Sequence, residues 1–315
     1  MIRTAVIGVG YLGRFHAQKY ASLPNSQLVG VADPSATARA AVGAELKVAA
    51  HEDYRDLLGK VDAVSIVTPT ASHFEVAKDF LEAGASVLVE KPMTVTIAEG
   101  EDLIDIAARL KRVLQVGHLE RFNAAVLAVQ PTLTVPRFIE SARLAPFKHR
   151  GTDVDVVLDL MIHDIDLILS IVRAPVVAVD AIGSSVFSNE IDIANARLRF
   201  ANGCVANATA SRVSLKTERK LRLFQDDAYI SVDLQQKILT VIRKGAAVGA
   251  DGMPQVAIEE NTYEQGDALK EEIQAFLQAV ATGGAPPVSG EDGLLALRTA
   301  VSITEQVASS RGKFS

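Results

Sequence analysis

The chain has 315 residues, 49% hydrophobic and 22% charged, which is long enough for two domains with cores of their own and is not the composition of a disordered chain. A net charge of -6, no tryptophan and 5% aromatic residues argue against a nucleic-acid surface, which needs a basic face and stacking rings. No apolar run reaches the ~18 residues of a membrane span. The single cysteine, Cys204, can make no internal disulfide, and the opening "MIRTAVIGVGYLG" is too glycine-rich and too quickly polar for a signal peptide. A cytoplasmic protein is expected, with small molecules or its own copies as partners and neither nucleic acid nor membrane.

In chain order, the first 118 residues alternate short β-branched runs with amphipathic stretches. "TAVIGVG", "QLVGVAD", "VDAVSIVTPT", "SVLVEKP" and "RVLQVG" read as buried strands, while "ASHFEVAKDFLEAGA" and "IAEGEDLIDIAARLK" read as helices. Strict alternation of this kind predicts right-handed crossovers and a doubly wound parallel sheet. From about Pro136 the pattern changes. A helical segment near 119 to 130 and a helix around 156 to 170 are followed by longer alternating runs, "VVAVDAIGSSVF", "IDIANARLRFANGCVANATASRVS" and "RKLRLFQDDAYISVDLQQKILTVIRK". Turn signals such as "ANG" and "DD" join them, so hairpins in a mostly antiparallel sheet are expected. Helices around 267 to 282 and 291 to 309 close the chain, separated by "TGGAPPVSGEDG".

The first strand runs into Gly8-Val9-Gly10-Tyr11-Leu12-Gly13, a G-x-G-x-x-G at a strand-to-helix turn. The first glycine permits the tight turn, the second lets a pyrophosphate approach the backbone and the third lets the helix pack closely, with the helix N-terminus facing the phosphates. Asp33 follows Gly13 by 20 residues at the end of the second strand, where a carboxylate accepts hydrogen bonds from a ribose diol. That acid repels a 2'-phosphate, and Pro34 and Ser35 supply no neighbouring cation. NAD is therefore expected rather than NADP.

"VLVEKPM" puts Lys91 just past the carboxyl end of a buried strand, where such sheets bind ligands, and Pro92 keeps it from helical geometry. A cation there either stabilises charge on a substrate oxygen or is an ordinary loop lysine. His73, in "TPTASHFEVA", either lines a nicotinamide pocket or caps the following helix.

In "VVLDLMIHDIDLILS", Asp159, His163, Asp166 and Ser170 recur at i, i+4, i+7 and i+11, one polar stripe on a greasy helix, with Asp164 off it. The stripe is either the solvent face of a packed helix or the lining of a cleft. In the second case Asp159 orients the His163 imidazole. The same two residues have a spacing used by metal ligands, but further ligands are missing and no metal is expected.

Together "GVGYLG", Asp33, "TPTASH", "EKP", "GHLERFN" and "DLMIHDID" resemble, in order and spacing and over essentially the whole chain, the Gfo/Idh/MocA family of nicotinamide-dependent sugar and cyclitol oxidoreductases. The resemblance implies a Rossmann domain over 1 to 118. It implies a substrate-binding and oligomerisation α/β domain with an open, mainly antiparallel sheet over 119 to 315, its last helix packing back on the first domain. It implies catalysis by Lys91, Asp159 and His163, and cofactor contacts from Gly8, Gly10, Tyr11, Leu12, Gly13, Asp33, Thr68, Pro69, His73, Glu90 and Lys91. His163 or Lys91 is the base. Substrate contacts are expected from His118, Arg121, Asn123, Arg150 and His163.

Arg143, Lys148, His149 and Arg150 gather in "ARLAPFKHRG" against an acidic whole, as either a solvated loop or an anion site. "GHLERFN", "APF" followed by an arginine, and "DLMIHDIDL" look most like the nucleotide-sugar 3-dehydrogenase branch. The expected substrate is a nucleotide-activated amino sugar such as UDP-N-acetylglucosamine, oxidised at C3. A free cyclitol or aldose is the alternative, and a non-catalytic nicotinamide-binding regulator a third. A homodimer or homotetramer formed through the outer face of the second sheet is implied as well.

Overall fold

The computed structural model describes residues 1 to 148, 154 to 248, 254 to 263 and 266 to 311. The chain divides into two compact units, Met1–Leu119 with Asp267–Leu295, and Glu120–Gly266 with Ala296–Ser315. The sequence predicts a second domain running continuously from 119 to 315. In the structure the stretch Asp267–Leu295 belongs with the first unit instead.

In the first unit, strands β1 (Ile2–Ile7), β2 (Ser26–Ala32), β3 (Ala49–His51), β4 (Ala63–Ile66), β5 (Ser86–Glu90) and β6 (Leu114–Gly117) form one sheet in the order β3-β2-β1-β4-β5-β6. Every pairing is parallel. Helices α1 (Tyr11–Ser22), α2 (Ala36–Leu46), α3 (His73–Glu82) and α4 (Ile97–Leu110) connect these strands. The order reverses between β1 and β4, the switch point at which such a sheet opens a crevice beyond its strand ends. Thr96 caps α4 and Glu99 returns the bond to the Thr96 N-H, a reciprocal box that satisfies two terminal donors.

A later helix, α7 (Ala268–Thr282), belongs to this unit. Its Leu269, Ile273, Phe276 and Leu277 are buried with Ala17 and Tyr20 of α1 and with Val6, Val31, Ala63 and Leu88 of the sheet. The glycine-rich link that follows α7 is ordered against β6, where Val116 N donates to Val288 O and Gln115 bridges to Ser289.

In the second unit an eight-stranded sheet takes the order β14-β13-β12-β11-β7-β10-β9-β8. Its strands are β7 (Phe138–Leu144), β8 (Val176–Ser184), β9 (Ile193–Phe200), β10 (Val205–Ser211), β11 (Glu218–Phe224), β12 (Ala228–Asp233), β13 (Ile238–Val248) and β14 (Pro254–Thr262). Only β7 and β10 pair in parallel, so the sheet is mainly antiparallel, as the hairpin signals predict. Alternation is clean along β9, where every second residue is buried, so one face meets the core and the other does not. Onto the buried face pack α5 (Ala124–Val129), α6 (Ile162–Val172) and the part of α8 (Gly290–Arg311) that carries Ala296, Ala300, Ile303 and Val307. Among the described residues no helix is long and apolar enough to cross a membrane.

Candidate cofactor cleft and catalytic residues

At the carboxyl ends of β1, β2 and β4 lies a cleft of about 460 Å3. Its lining includes Gly8, Gly10, Asp33, Thr68 and Pro69, all of them anticipated, together with Glu52, Tyr54, Ser72 and Val76, which were not. The glycines fit the demands of a pyrophosphate. Gly8 holds φ +81, and a Cβ there would come 2.6 Å from Val67 O. A Cβ on Gly13 would collide with Gly8 O, so the third glycine is what lets α1 start against the turn. Gly10 differs: nothing lies within 4 Å of a Cβ built on it, which leaves open space at the helix N-terminus for an anionic group. Tyr11 and Leu12, in the first turn of α1, are exposed, and the Tyr11 ring meets Phe15 edge-on at 5.4 Å.

Asp33 is fixed by two backbone donors. Its Oδ2 accepts from Val9 N at 2.8 Å and its Oδ1 from Ser35 N at 2.8 Å. The carboxylate therefore ties the glycine turn to the end of β2, and each oxygen keeps a lone pair for a ribose hydroxyl. Pro34 and Ser35 supply no cation, but Arg39 brings one beside this acid. Its Nη1 donates to Pro34 O at 2.9 Å and to Asp33 O at 3.4 Å, while its Nη2 donates to Glu52 Oε2 at 2.8 Å. The spacing missed it because Arg39 reaches back from the first turns of α2.

His73 ties two loops together. Its ring is 1% exposed, with Nδ1 2.9 Å from Pro92 O and Nε2 2.9 Å from Thr68 O. It links the turn after β4 to the Lys91–Pro92 turn after β5, where the peptide bond is cis. Both ring nitrogens are thus engaged internally, and the expectation of a nitrogen offered to a ligand or to a helix cap gives way to one of loop support. Burial lowers the His73 pKa, outweighing the two carbonyl acceptors and the Glu90 charge that favour the imidazolium.

Lys91 is partly buried beside a built carboxylate. Glu90 Oε1 lies 3.1 Å from Nε2 of the fully buried His16, and Glu90 Oε2 accepts from Lys91 N at 3.3 Å. A Cβ on Gly117 would stand 2.9 Å from Glu90 Oε1, so glycine at the end of β6 makes room for that carboxylate. Burial pushes the Glu90 carboxyl up, but His16 and Lys91 together bring it below the ordinary glutamate range. His118, just after β6, is 1% exposed.

In the second unit the striped helix begins as a π-helical turn, Val157–Met161, before α6. Asp155 caps it, its Oδ1 accepting from Val157 N and Leu158 N at 2.8 and 2.9 Å. The wider turn shifts the register between Asp159 and His163, and such turns recur at functional sites. Both residues are partly exposed. The stripe does not continue as one polar face. Asp166 is 1% exposed and takes a bidentate pair from Arg121, Nε to Oδ2 at 2.8 Å and Nη2 to Oδ1 at 2.6 Å. Asp164 is equally buried and is paired by Arg143, with Nε to Oδ2 at 2.8 Å.

The basic cluster read from the sequence also changes. Arg143 is 3% exposed and bonds Glu120 Oε1 at 3.0 Å as well as Asp164, so it is an interior ion-pair member and no anion site. Lys148 is exposed, and His149 and Arg150 lie outside the described residues. Asn123 is 6% exposed and caps α5, its amide donating to Leu234 O at 2.8 Å and its Oδ1 accepting from Ala125 N. Its polar atoms are spent inside the unit, contrary to the substrate contact expected of it. Among the described residues no group of three or more His, Cys, Asp or Glu side chains is arranged to hold a metal ion.

A glycine turn shaped for pyrophosphate, an acid at the ribose position and a doubly wound sheet define a dinucleotide-binding protein. Residues 2–118 match the family profile described as "Oxidoreductase family, NAD-binding Rossmann fold", and 147–314 match "Oxidoreductase family, C-terminal alpha/beta domain". The chain belongs to the Gfo/Idh/MocA oxidoreductase family, and the NAD-binding fold of residues 2–118 makes NAD its cofactor. UDP-N-acetylglucosamine 3-dehydrogenase of Acidithiobacillus ferrooxidans is 45% identical over 281 residues, 89% of each chain. A solved structure of that enzyme superposes with a TM-score of 0.92 at 42% identity, covering 97% of both chains. Inositol 2-dehydrogenase of Rhizobium meliloti is 24% identical over 327 aligned positions, 98% of each chain. Levoglucosan dehydrogenase in complex with NADH and L-sorbose shares the fold, with a TM-score of 0.87 at 21% identity over 98% of this chain and 97% of that one. The protein is a dehydrogenase acting on a CH-OH group of a small molecule.

Proposed function

We propose that the protein oxidises the C3 hydroxyl of a nucleotide-activated amino sugar, UDP-N-acetylglucosamine or a near relative, to the ketone. The observation that carries this reading is the 45% identity across 89% of the chain to an enzyme of that name, against 24% to an inositol dehydrogenase. Bound NAD supplies the hydride acceptor. The turn from Gly8 to Gly13, with Tyr11 and Leu12 in the first helical turn, holds the pyrophosphate, and Asp33 accepts from the ribose hydroxyls. Thr68, Pro69 and Glu90 complete the cofactor side, with His73 behind them.

Loss of hydride from a carbinol carbon requires loss of the hydroxyl proton. His163 suits that task because an imidazole titrates near neutral pH. Asp159 holds the ring in the productive tautomer and stabilises the imidazolium. Lys91 is suited to offset charge developing on a substrate oxygen, and it is the alternative base. His118, Arg121 and Arg150 are assigned to the substrate. The reading carries with it a cytoplasmic protein that self-associates as a dimer or tetramer through the outer face of the second sheet.

The test is turnover. Purified protein with NAD+ and UDP-N-acetylglucosamine should produce NADH and a 3-keto sugar identifiable by NMR. Turnover of myo-inositol with none of the UDP-sugar would overturn the substrate and leave the oxidoreductase standing.

A further inference from the structure

The cofactor cleft carries a second acid that the glycine fingerprint does not call for. β2 and β3 run parallel with Ala32 opposite His51, and Asp33 N donates to His51 O at 3.1 Å, so Asp33 and Glu52 leave the sheet side by side. Both line the same cleft. Their side chains are used differently. The Asp33 carboxylate is locked by Val9 N and Ser35 N, whereas the Glu52 side chain is 76% exposed and makes one ion pair, to Arg39. The Arg39 side chain is only 20% exposed, its guanidinium held between the Pro34 carbonyl and Glu52 Oε2. With Nη1 on two backbone carbonyls and Nη2 on the Glu52 carboxylate, the Nη1–Nη2 edge of Arg39 is filled and cannot clasp a phosphate. Two carboxylates and one guanidinium leave the ribose end of the cleft with a net charge of about -1, which opposes an added 2'-phosphate.

We propose that Glu52 is a second determinant of NAD over NADP. It acts by occupying the Arg39 guanidinium beside Asp33 and by placing its own charge on the cleft lip. The inference rests on the NAD assignment and is independent of the sugar substrate.

Glu52→Gln, at an exposed position, removes the charge and releases one arm of the Arg39 fork with little risk to folding. Affinities for NAD+ and NADP+ are measured by calorimetric titration of the full chain. Glu52→Gln should raise the ratio of NADP+ to NAD+ affinity about tenfold, the effect of one nearby charge in a half-solvated site. Adding Arg39→Met to that variant should remove most of the gain. An unchanged ratio in Glu52→Gln overturns the inference and leaves NAD as cofactor. A gain that survives intact in the double variant overturns the part assigned to Arg39. A wild-type protein that binds neither dinucleotide overturns the cofactor assignment together with the inference.

Discussion

Asp166 and Arg121 hold each other through two parallel hydrogen bonds of 2.8 and 2.6 Å, with the carboxylate 1% and the guanidinium side chain 16% exposed. A fork-to-fork pair this deep is difficult to lose by halves. Asp166→Leu should cost about 3–5 kcal/mol, because it strands a largely buried cation. Arg121→Met combined with Asp166→Leu should cost clearly less than the two single losses added together. Urea unfolding of the four proteins checks this, and strict additivity would show that the two side chains do not depend on each other.

His73 should make stability depend on pH. Its native pKa lies below 6.5, so the unfolded chain binds the proton more readily than the folded one. The stability linked to this ring is then complete above about 6.5 and drains away as the pH falls toward the lowered native value. Thermal melting followed from about pH 7 to about pH 5 should show a decline that is shallower in His73→Gln than in the parent. An equal slope in the two proteins would assign the dependence to other groups.

Three substitutions separate chemistry from cofactor binding. His163→Asn and Lys91→Met should each lower kcat by about 10²–10⁴-fold, the usual weight of a proton-transfer group. Asp159→Asn should lower kcat and move the acidic limb of its pH profile to lower pH, since the imidazole loses the carboxylate that stabilises its charged form. NAD+ binding should persist in the His163 and Asp159 variants. Steady-state kinetics beside NAD+ titration reads all three, and full activity in His163→Asn would remove that residue from the mechanism.

Periodicity and turn chemistry were enough to read most of the scaffold. The switch from strand-helix alternation to hairpins predicted the parallel and the mainly antiparallel sheets, and the spacing from Gly13 to Asp33 located a real cleft. β3 escaped because three residues at a sheet edge carry too little pattern to register. Arg143 was misread by chain proximity to Lys148. The alternation of Ile139, Ser141 and Arg143 along β7 already put the arginine on the buried face, and it required a partner there. The helical stripe failed for a different reason. It presumed uniform α geometry along one face, whereas a π turn resets the phase at Asp159 and an interior arginine claims Asp166. Partners from distant strands and helices leave no trace in local spacing, which is also why Arg39 and Glu52 went unseen.

The return of Asp267–Leu295 to the nucleotide-binding unit sets the order in which the polypeptide becomes competent during translation. The ribosome must finish nearly everything before α7 can settle on the Ala17 and Tyr20 face of α1. At ~5–20 residues per second the nascent crevice waits on the order of ten seconds or more for its final helix. A truncated product stopping at 119 would keep the glycine signature and yet bare the greasy seat where Phe276 and Leu277 belong, making it a substrate for chaperones and proteases before it ever met a dinucleotide.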